Sequence, residues 1–215
     1  METVVQVAQG QLRGSVENGL HIFKGVPYAA PIDGPNRFRA PQRRESWSGF
    51  RDATTIGLIS RQAPLPPPFG TPLPEAGADC LNLNVWSPDV TGSLPVYVWI
   101  HGGAFYGGSG VEAVYDGASF ARNGVVCVTI NYRLGAQGFL HLADHFPEFA
   151  ESGNAGLLDQ IAALKWVQQN IAAFGGDPAR VTIAGESAGG MSVSSLLATS
   201  LAKGLFTQAI PQSGA

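Results

Sequence analysis

Short apolar runs separated by amphipathic stretches and turn residues dominate the second half of the chain. Three of these runs are predicted to be buried strands, at Pro95–Ile100, Val125–Asn131 and Val181–Ala184. Apolar residues at spacings of three and four predict a helix over Asp159–Phe174, and a second helix is predicted over Ala188–Thr199. Because buried strands alternate with helices, the pattern predicts an α/β fold with a mostly parallel sheet covered on both faces.

The first part of the chain has a different pattern. Strand-like runs at 3–7, 11–14 and 21–25 are separated by turn signals at Gly10 and at Asn18 with the glycine that follows it. Such short connections between strands are typical of hairpins. The sequence therefore predicts antiparallel hairpins that precede the sheet core.

A proline-rich stretch lies between these two parts. Residues 61–78 contain three successive prolines and show no periodicity. This composition favours an extended surface loop over a recognition motif for a proline-binding partner. We therefore expect one domain over residues 1–215, made of a hairpin region (1–60), this loop and a sheet core (94–215).

Composition and charge exclude several classes of function. The chain is 45% hydrophobic and 13% charged, and 13 basic against 16 acidic residues give a net charge of −3. This balance excludes nucleic-acid binding driven by a basic surface. No run approaches the roughly 18 apolar residues of a membrane span. The N-terminus shows no secretory signal, so we expect a cytoplasmic protein with no membrane or nucleic-acid partner.

The two cysteines fit that compartment. Cys80 and Cys127 could form one bridge, but Cys127 lies inside a predicted buried strand. We expect both thiols to be reduced rather than joined in a disulfide.

Residues 185–189 match the Gly-x-Ser-x-Gly pattern of a nucleophile elbow. Ser187 lies between a predicted strand and a predicted helix, as such an elbow requires. The tight turn would force Ser187 into a strained conformation, and side chains at Gly185 and Gly189 would collide with their neighbours. The pattern alone is also compatible with a plain strand–helix turn or a phosphate-binding loop, and its context favours the elbow.

A second glycine-rich segment directly follows the strand Pro95–Ile100. His101, Gly102 and Gly103 resemble the loop that supplies one half of an oxyanion hole, whose other half is the amide after the serine, here Ala188. His101 precedes the serine in the chain, so it is predicted to brace the loop by hydrogen bonding rather than act as the base. His21, His141 and His145 also precede Ser187 and are interpreted as structural or surface residues.

These segments belong to a longer series of ordered matches. The sequence resembles the type-B carboxylesterase family, in its bacterial carboxylesterase and para-nitrobenzyl esterase-like branch, which is related to the cholinesterases. The matching segments span nearly the whole chain: 25–29, 37–38, 79–85, 101–105, 131–135, 156–160, 174–178 and 185–190.

The resemblance implies an α/β-hydrolase fold and a set of roles. Ser187 would be the acylated nucleophile, and the amides of Gly103, Ala104 and Ala188 would form the oxyanion hole. It further implies a buried ion pair between Arg133 and Asp159. Phe105, Tyr106 and Phe69 are candidates to line the substrate entrance.

The sequence departs from the family pattern in three places. Ala78 stands where an acid usually pairs with the arginine of the Arg-Phe segment, so Arg37 is expected to lack that partner. No cysteine lies in residues 59–62, which supports a free Cys80. The triad acid and histidine of the family lie downstream of residue 215, so the fold is expected to be incomplete on its C-terminal side.

The resulting hypothesis is carboxylic ester hydrolysis through a serine acyl-enzyme, with a small-molecule ester as partner. The missing C-terminal part of the same protein would supply the acid and histidine, and the isolated chain is expected to be inactive or nearly so. The alternatives are a non-catalytic binding protein on the same fold, or amide or carbamate cleavage at the same serine. No Cys/His cluster has metal-ligand spacing, so neither metal nor organic cofactor is expected.

Overall fold

The computed structural model describes residues 1–63 and 73–214. Its strands are β1 (Glu2–Val7), β2 (Gly10–Glu17), β3 (Leu20–Pro27), β4 (Phe50–Asp52), β5 (Asn82–Ser87), β6 (Leu94–Ile100), β7 (Val126–Ile130), β8 (Gly176–Glu186) and β9 (Gln208–Gln212). The α-helices are α1 (Ala118–Arg122), α2 (Gly135–Phe139), α3 (Ala155–Asn170) and α4 (Ala188–Ala198). Short 3-10 turns occupy Gly34–Asn36, Ala113–Tyr115, Pro147–Phe149, Ser152–Asn154, Ile171–Phe174 and Ser200–Ala202.

One mixed sheet joins all nine strands, in the order β1-β2-β3-β5-β7-β6-β8-β9, with β4 paired to β2. The strands β7, β6, β8 and β9 are parallel. The pairs β1-β2, β2-β3, β3-β5 and β5-β7 are antiparallel, and the first two of them confirm the predicted N-terminal hairpins. The side of the sheet that follows residue 94 is therefore parallel, and the other side is antiparallel except for the short parallel pair β2-β4.

The predicted elements are present with shifted boundaries. The helix predicted from residue 159 begins at Ala155 and gives way to a 3-10 turn at Ile171. The strand predicted at 181–184 is longer and covers Gly176–Glu186, because its upstream end pairs with β6 across an irregularity in register. Residues 64–72 of the predicted proline-rich loop, with Phe69, lie outside the described residues.

The core lies between the sheet and the long helices. The inner strands β6 and β7 bury Val98, Ile100 and Val128 completely. Phe174 lies in the 3-10 turn that follows α3, and its ring packs edge-on against Phe23 of β3 with ring centroids 4.9 Å apart. Aromatic contacts of this kind add to the area that they bury. The hairpin region and the parallel half thus share one hydrophobic core.

Candidate active site

A single residue separates β8 from α4. The strand ends at Glu186, the helix begins at Ala188, and Ser187 between them has φ 54° and ψ −120°. Positive φ is uncommon for a residue with a side chain and marks a constrained position. The side chain of Ser187 is half-buried, so it is neither packed in the core nor fully in solvent.

Glycines on both sides of the serine are required by close packing. A Cβ on Gly185 would lie 2.8 Å from the carbonyl oxygen of Ile100 and 2.5 Å from that of Gly189. A Cβ on Gly189 would collide with the same Ile100 oxygen. The predicted steric need for glycine at both positions is confirmed.

The loop after β6 lies beside the elbow because the two strands are parallel neighbours. Ile100 is paired with Gly185, so both strands end at the same edge of the sheet. Three successive residues of this loop have positive φ, at Gly103 (109°), Ala104 (54°) and Phe105 (63°). Only the first of them is a glycine, so the backbone here is held in a strained conformation.

The amide groups of this loop are available to a ligand. Within residues 1–63 and 73–214, the N–H groups of Gly103 and Ala104 donate no hydrogen bond. The carbonyl oxygen of Gly103 accepts from Tyr106 and Gly107, at 3.1 and 3.0 Å. Ala188 is the first residue of α4, where N–H groups precede the first intrahelical bonds and the helix dipole is positive.

A cavity of about 800 Å³ opens in front of Ser187. Its wall is formed by three groups of residues: the loop 102–104, the segment 106–109 with 111–115, and residues 62, 63, 73, 74, 186 and 187. Tyr106 is 55% exposed and lines this cavity. Phe105 does not line it, because its ring packs edge-on against Phe139 with centroids 5.1 Å apart.

The charged groups at this cavity are acidic. Glu112 and Glu186 line it, and no lysine, arginine or histidine is found among its described lining residues. Burial raises the pKa of Tyr115, and the charges of Glu112 and Glu186 raise it further. The Glu112 carboxylate is anchored by the N–H of Ser109 at 3.0 Å. Glu112 and Tyr115 were not predicted, because they lie in an irregular segment with no spacing pattern, and Glu186 occupies a position of the elbow pattern at which any residue is allowed.

His101 is fully buried and braces the loop. Its Nδ1 lies 2.8 Å from the carbonyl oxygen of Gly102, and its ring stacks on Tyr132 at 4.4 Å. The Tyr132 hydroxyl donates to the backbone oxygen of His101 at 2.9 Å. Burial lowers the pKa of His101 to about 4, so the ring is neutral at pH 7 and Nδ1 carries the donated proton. This arrangement agrees with a bracing role.

The other histidines lie away from the cavity wall. His21 makes a hydrogen bond of 2.9 Å to the Thr3 hydroxyl. The exposed side chain of His141 pairs with Asp144 at 3.1 Å. His145 is exposed. Within the described residues, then, no histidine faces Ser187 across the cavity.

The ion pair implied by the resemblance is present. Arg133 donates from Nε and Nη2 to the two carboxylate oxygens of Asp159, at 2.7 and 2.6 Å. The side chains are 1% and 0% exposed. Burial raises the pKa of Asp159, and the hydrogen bonds and charge of Arg133 oppose that rise. The pair joins the end of β7 to α3 and so fixes the helix on the sheet.

The structure also tests the predictions made for the two cysteines and for Arg37. Cys80 and Cys127 are both buried and are not joined in a disulfide, as expected, and burial raises the pKa of each to about 12. Arg37 forms no ion pair with any described residue and lies 4.9 Å above the Phe38 ring. The neighbouring acid, Asp79, forms an ion pair with Arg44, at 2.8 Å.

The described part of the chain holds no group of three or more His, Cys, Asp or Glu side chains that could bind a metal ion. None of its helices is long and apolar enough to cross a bilayer.

A strained serine elbow and a glycine-rich loop, brought to one edge of a sheet by parallel neighbouring strands, define the α/β-hydrolase class. The sequence model that describes the carboxylesterase family matches residues 1–215, and the chain belongs to this family. It is 54% identical over 215 residues to the para-nitrobenzyl esterase of Bacillus subtilis, covering 99% of this chain and 44% of that protein. It is 46% identical over 221 residues to the cocaine esterase of Oryctolagus cuniculus, covering 95% of this chain and 40% of that one.

Solved structures of esterases also resemble this chain in fold. A PNB esterase superposes with a TM-score of 0.91 at 51% identity, covering 100% of this chain and 44% of the other. A carboxylesterase of Geobacillus stearothermophilus superposes with a TM-score of 0.89 at 48% identity, covering 97% and 43%. The α/β-hydrolase fold is thereby confirmed. The chain spans less than half the length of these relatives.

Proposed function

We propose that this chain carries the nucleophile and the oxyanion hole of a carboxylesterase. The Ser187 hydroxyl oxygen would attack the ester carbonyl, and the amides of Gly103, Ala104 and Ala188 would bind the oxyanion that forms. The alcohol then leaves with a proton, and water attacks the acyl-serine to release the carboxylic acid. The observation that carries this proposal is that the strained Ser187 lines one cavity together with Gly103 and Ala104.

The proton transfers of the proposed mechanism require a histidine, and the described residues place none at the cavity. We propose that a histidine and an acid outside these 215 residues complete the triad, since the relatives are more than twice as long as this chain. A serine hydroxyl is a poor nucleophile at neutral pH without such a base. The 215-residue chain alone is therefore expected to show only residual hydrolysis.

The charge of the cavity indicates which small esters it accepts. Glu112 and Glu186 line it without a described cation, so an anionic ester would meet two like charges. Neutral and cationic esters avoid this repulsion. We expect kcat/KM for an ester with a carboxylate on its acyl chain to be roughly tenfold or more below that for its uncharged isostere, and Glu112→Gln to narrow the gap. An equal preference for both esters, unchanged by Glu112→Gln, would contradict this charge argument.

The central test uses the polypeptide that contains these 215 residues together with the proposed histidine and acid. It should hydrolyse a p-nitrophenyl ester and be labelled by a fluorophosphonate. Ser187→Ala should abolish both. Ser195→Ala is a matched control, because Ser195 lies on the same helix and its hydroxyl only donates to the Met191 carbonyl oxygen at 2.9 Å. Labelling that persists in Ser187→Ala would refute the assignment of the nucleophile.

We also propose a cytoplasmic location. Two free, buried thiols support it, because reduced cysteines are typical of that compartment. Fractionation of cells that express the protein, with activity recovered only outside the cytosol, would contradict it.

A further inference from the structure

Gln62 lies next to the loop that holds the proposed oxyanion-hole amides and contacts it through its side-chain amide. Its Nε2 donates to the carbonyl oxygen of Gly108 at 2.9 Å, and its Oε1 accepts from the N–H of the same residue at 2.8 Å. Nε2 also donates to the carbonyl oxygen of Ser60 at 3.2 Å. One half-buried side chain thus satisfies both backbone groups of a residue 46 positions away in the sequence.

Gly108 closes the turn that begins at Gly102. Its φ is 96°, and a Cβ there would lie 2.5 Å from the Gly102 carbonyl oxygen and 2.7 Å from Nδ1 of His101. The end of the turn therefore packs directly on its beginning. Because the two ends of the turn are in contact, fixing Gly108 also fixes Gly102, and with it the amides of Gly103 and Ala104 that follow.

This turn needs restraint from outside. Ala104 and Phe105 both have positive φ, which persists only where the surrounding structure enforces it. The carbonyl oxygen of Phe105 accepts from Gly135 at 2.7 Å, which fixes the middle of the turn. His101 braces its start through Gly102. Gln62 supplies the third point of attachment, at the end.

We propose that Gln62 is a positioning residue that holds the Gly103 and Ala104 amides in the geometry that an oxyanion requires. This inference rests on the proposed function for its catalytic consequence but not for its structural one. The oxyanion hole lowers the barrier only while its donors point at the place where charge develops. Without the Gln62 contacts the loop samples other conformations, so substrate binding suffers less than turnover.

The structural part is tested by hydrogen–deuterium exchange in the polypeptide that contains these 215 residues together with the proposed histidine and acid. In Gln62→Ala, peptides covering residues 102–110 should exchange at least about tenfold faster, since two hydrogen bonds to Gly108 are lost. Gln168→Ala is the matched control: Gln168 is also half-buried and donates to the carbonyl oxygens of Pro178 and Leu205, at 2.8 and 2.9 Å. It should leave those peptides unchanged. Unchanged exchange in Gln62→Ala would overturn the proposal, whatever the activity of the protein.

The catalytic part is tested in the polypeptide with the complete triad. Gln62→Ala should lower kcat for a p-nitrophenyl ester by roughly 10- to 100-fold, less than the ~10²- to 10³-fold loss of a whole donor, and change KM by less than about threefold. Gln168→Ala should have wild-type kinetics. If Ser187→Ala abolishes hydrolysis but Gln62→Ala retains wild-type kcat, the positioning role is refuted while the proposed function stands.

An isosteric variant separates positioning from general stability. Gln62→Glu keeps the acceptor for the Gly108 N–H but turns a carboxylate oxygen towards the Gly108 carbonyl oxygen. A protonated carboxyl group can donate to that oxygen again. The ratio of kcat in Gln62→Glu to wild-type kcat, taken at each pH, should therefore rise as the pH is lowered from 8 towards about 5. A ratio that is flat or falls over this range would contradict the donor role of Gln62.

Discussion

Removal of the Asp159 charge tests the most deeply buried ion pair among the described residues. Asp159 accepts from Nε and Nη2 of Arg133, at 2.7 and 2.6 Å, and from the Arg133 backbone N–H at 3.0 Å. Both side chains are almost entirely buried, at 0% and 1% exposure. Asp159→Asn preserves the volume but leaves a guanidinium without a counter-charge in a region that water does not reach. Loss of one partner of a buried pair typically costs about 3–5 kcal/mol.

The exposed pair Arg180–Asp177 provides a matched control. Its Nε–Oδ2 distance is 2.8 Å, but its side chains are 52% and 24% exposed. Solvent screens such a pair, so Asp177→Asn should lower the stability far less than Asp159→Asn does. The two substitutions make the same chemical change, one in a buried ion pair and one in a pair that solvent reaches.

Equilibrium urea unfolding, followed by tryptophan fluorescence, measures both variants. Typical domains are stable by only about 5–15 kcal/mol, so Asp159→Asn should lower the unfolding midpoint strongly at an unchanged m-value. The double variant Arg133→Met with Asp159→Leu should regain much of the loss, because no unpaired charge remains buried. Equal losses for Asp159→Asn and Asp177→Asn would refute the reasoning.

Three further outcomes are expected. Burial holds the pKa of His101 at about 4, below its ordinary ~6.5, so between these pH values the unfolded chain binds a proton that the folded chain does not. The free energy of unfolding should therefore fall by on the order of 3 kcal/mol from pH 6.5 to 4. In urea titrations at several pH values, His101→Asn should remove that part of the pH dependence. Gly189→Ala should destabilise the fold by at least ~2 kcal/mol through collision with the carbonyl at the end of β6, whereas Gly92→Ala, with its nearest neighbour at 3.4 Å, should be tolerated in the same assay. Cys80 and Cys127 should not react with a thiol reagent at pH 8 until urea unfolds the chain, and reaction of either in the native state would contradict their burial.

The sequence predicted three of the four parallel strands, β6, β7 and β8, because each of them contains a continuous apolar run; β9, with the sequence Gln-Ala-Ile-Pro-Gln, has no such run. The antiparallel centre was harder to identify. Strand β5, Asn82–Ser87, alternates polar and apolar residues, a pattern typical of a strand with one solvated face, yet all six residues are buried. Its polar face is buried because the side chains bond internally: Asn82 donates to the Leu58 carbonyl oxygen at 2.8 Å and Asn84 to the Thr129 hydroxyl at 2.9 Å. Local periodicity cannot reveal such partners.

The early start of α3 has a similar cause. Gly156 interrupts the apolar spacing and argues against a helix at that point, since glycine disfavours helix interiors. In the structure it lies inside the first turn, where a Cβ would come within 2.5 Å of the Phe139 ring and 2.7 Å of the Arg133 carbonyl oxygen. Contact with α2 and with the end of β7 therefore outweighs the propensity of a single residue. The helix gains its N-terminal turn from tertiary packing that the sequence does not display.

The candidate site shows where local motifs suffice and where they do not. The serine elbow and the glycine-rich loop could each be found from a few residues, because each needs glycine for a local steric reason. Their adjacency depends on strand order, which places β8 directly beside β6 and aligns Gly185 with Ile100. Gln62 could not be identified in this way, because a glutamine in an irregular segment has no pattern, and its importance arises only from the backbone that it contacts. Residues that form a site are thus visible in the sequence when the chemistry restricts their own backbone, and invisible when they act by restricting the backbone of others.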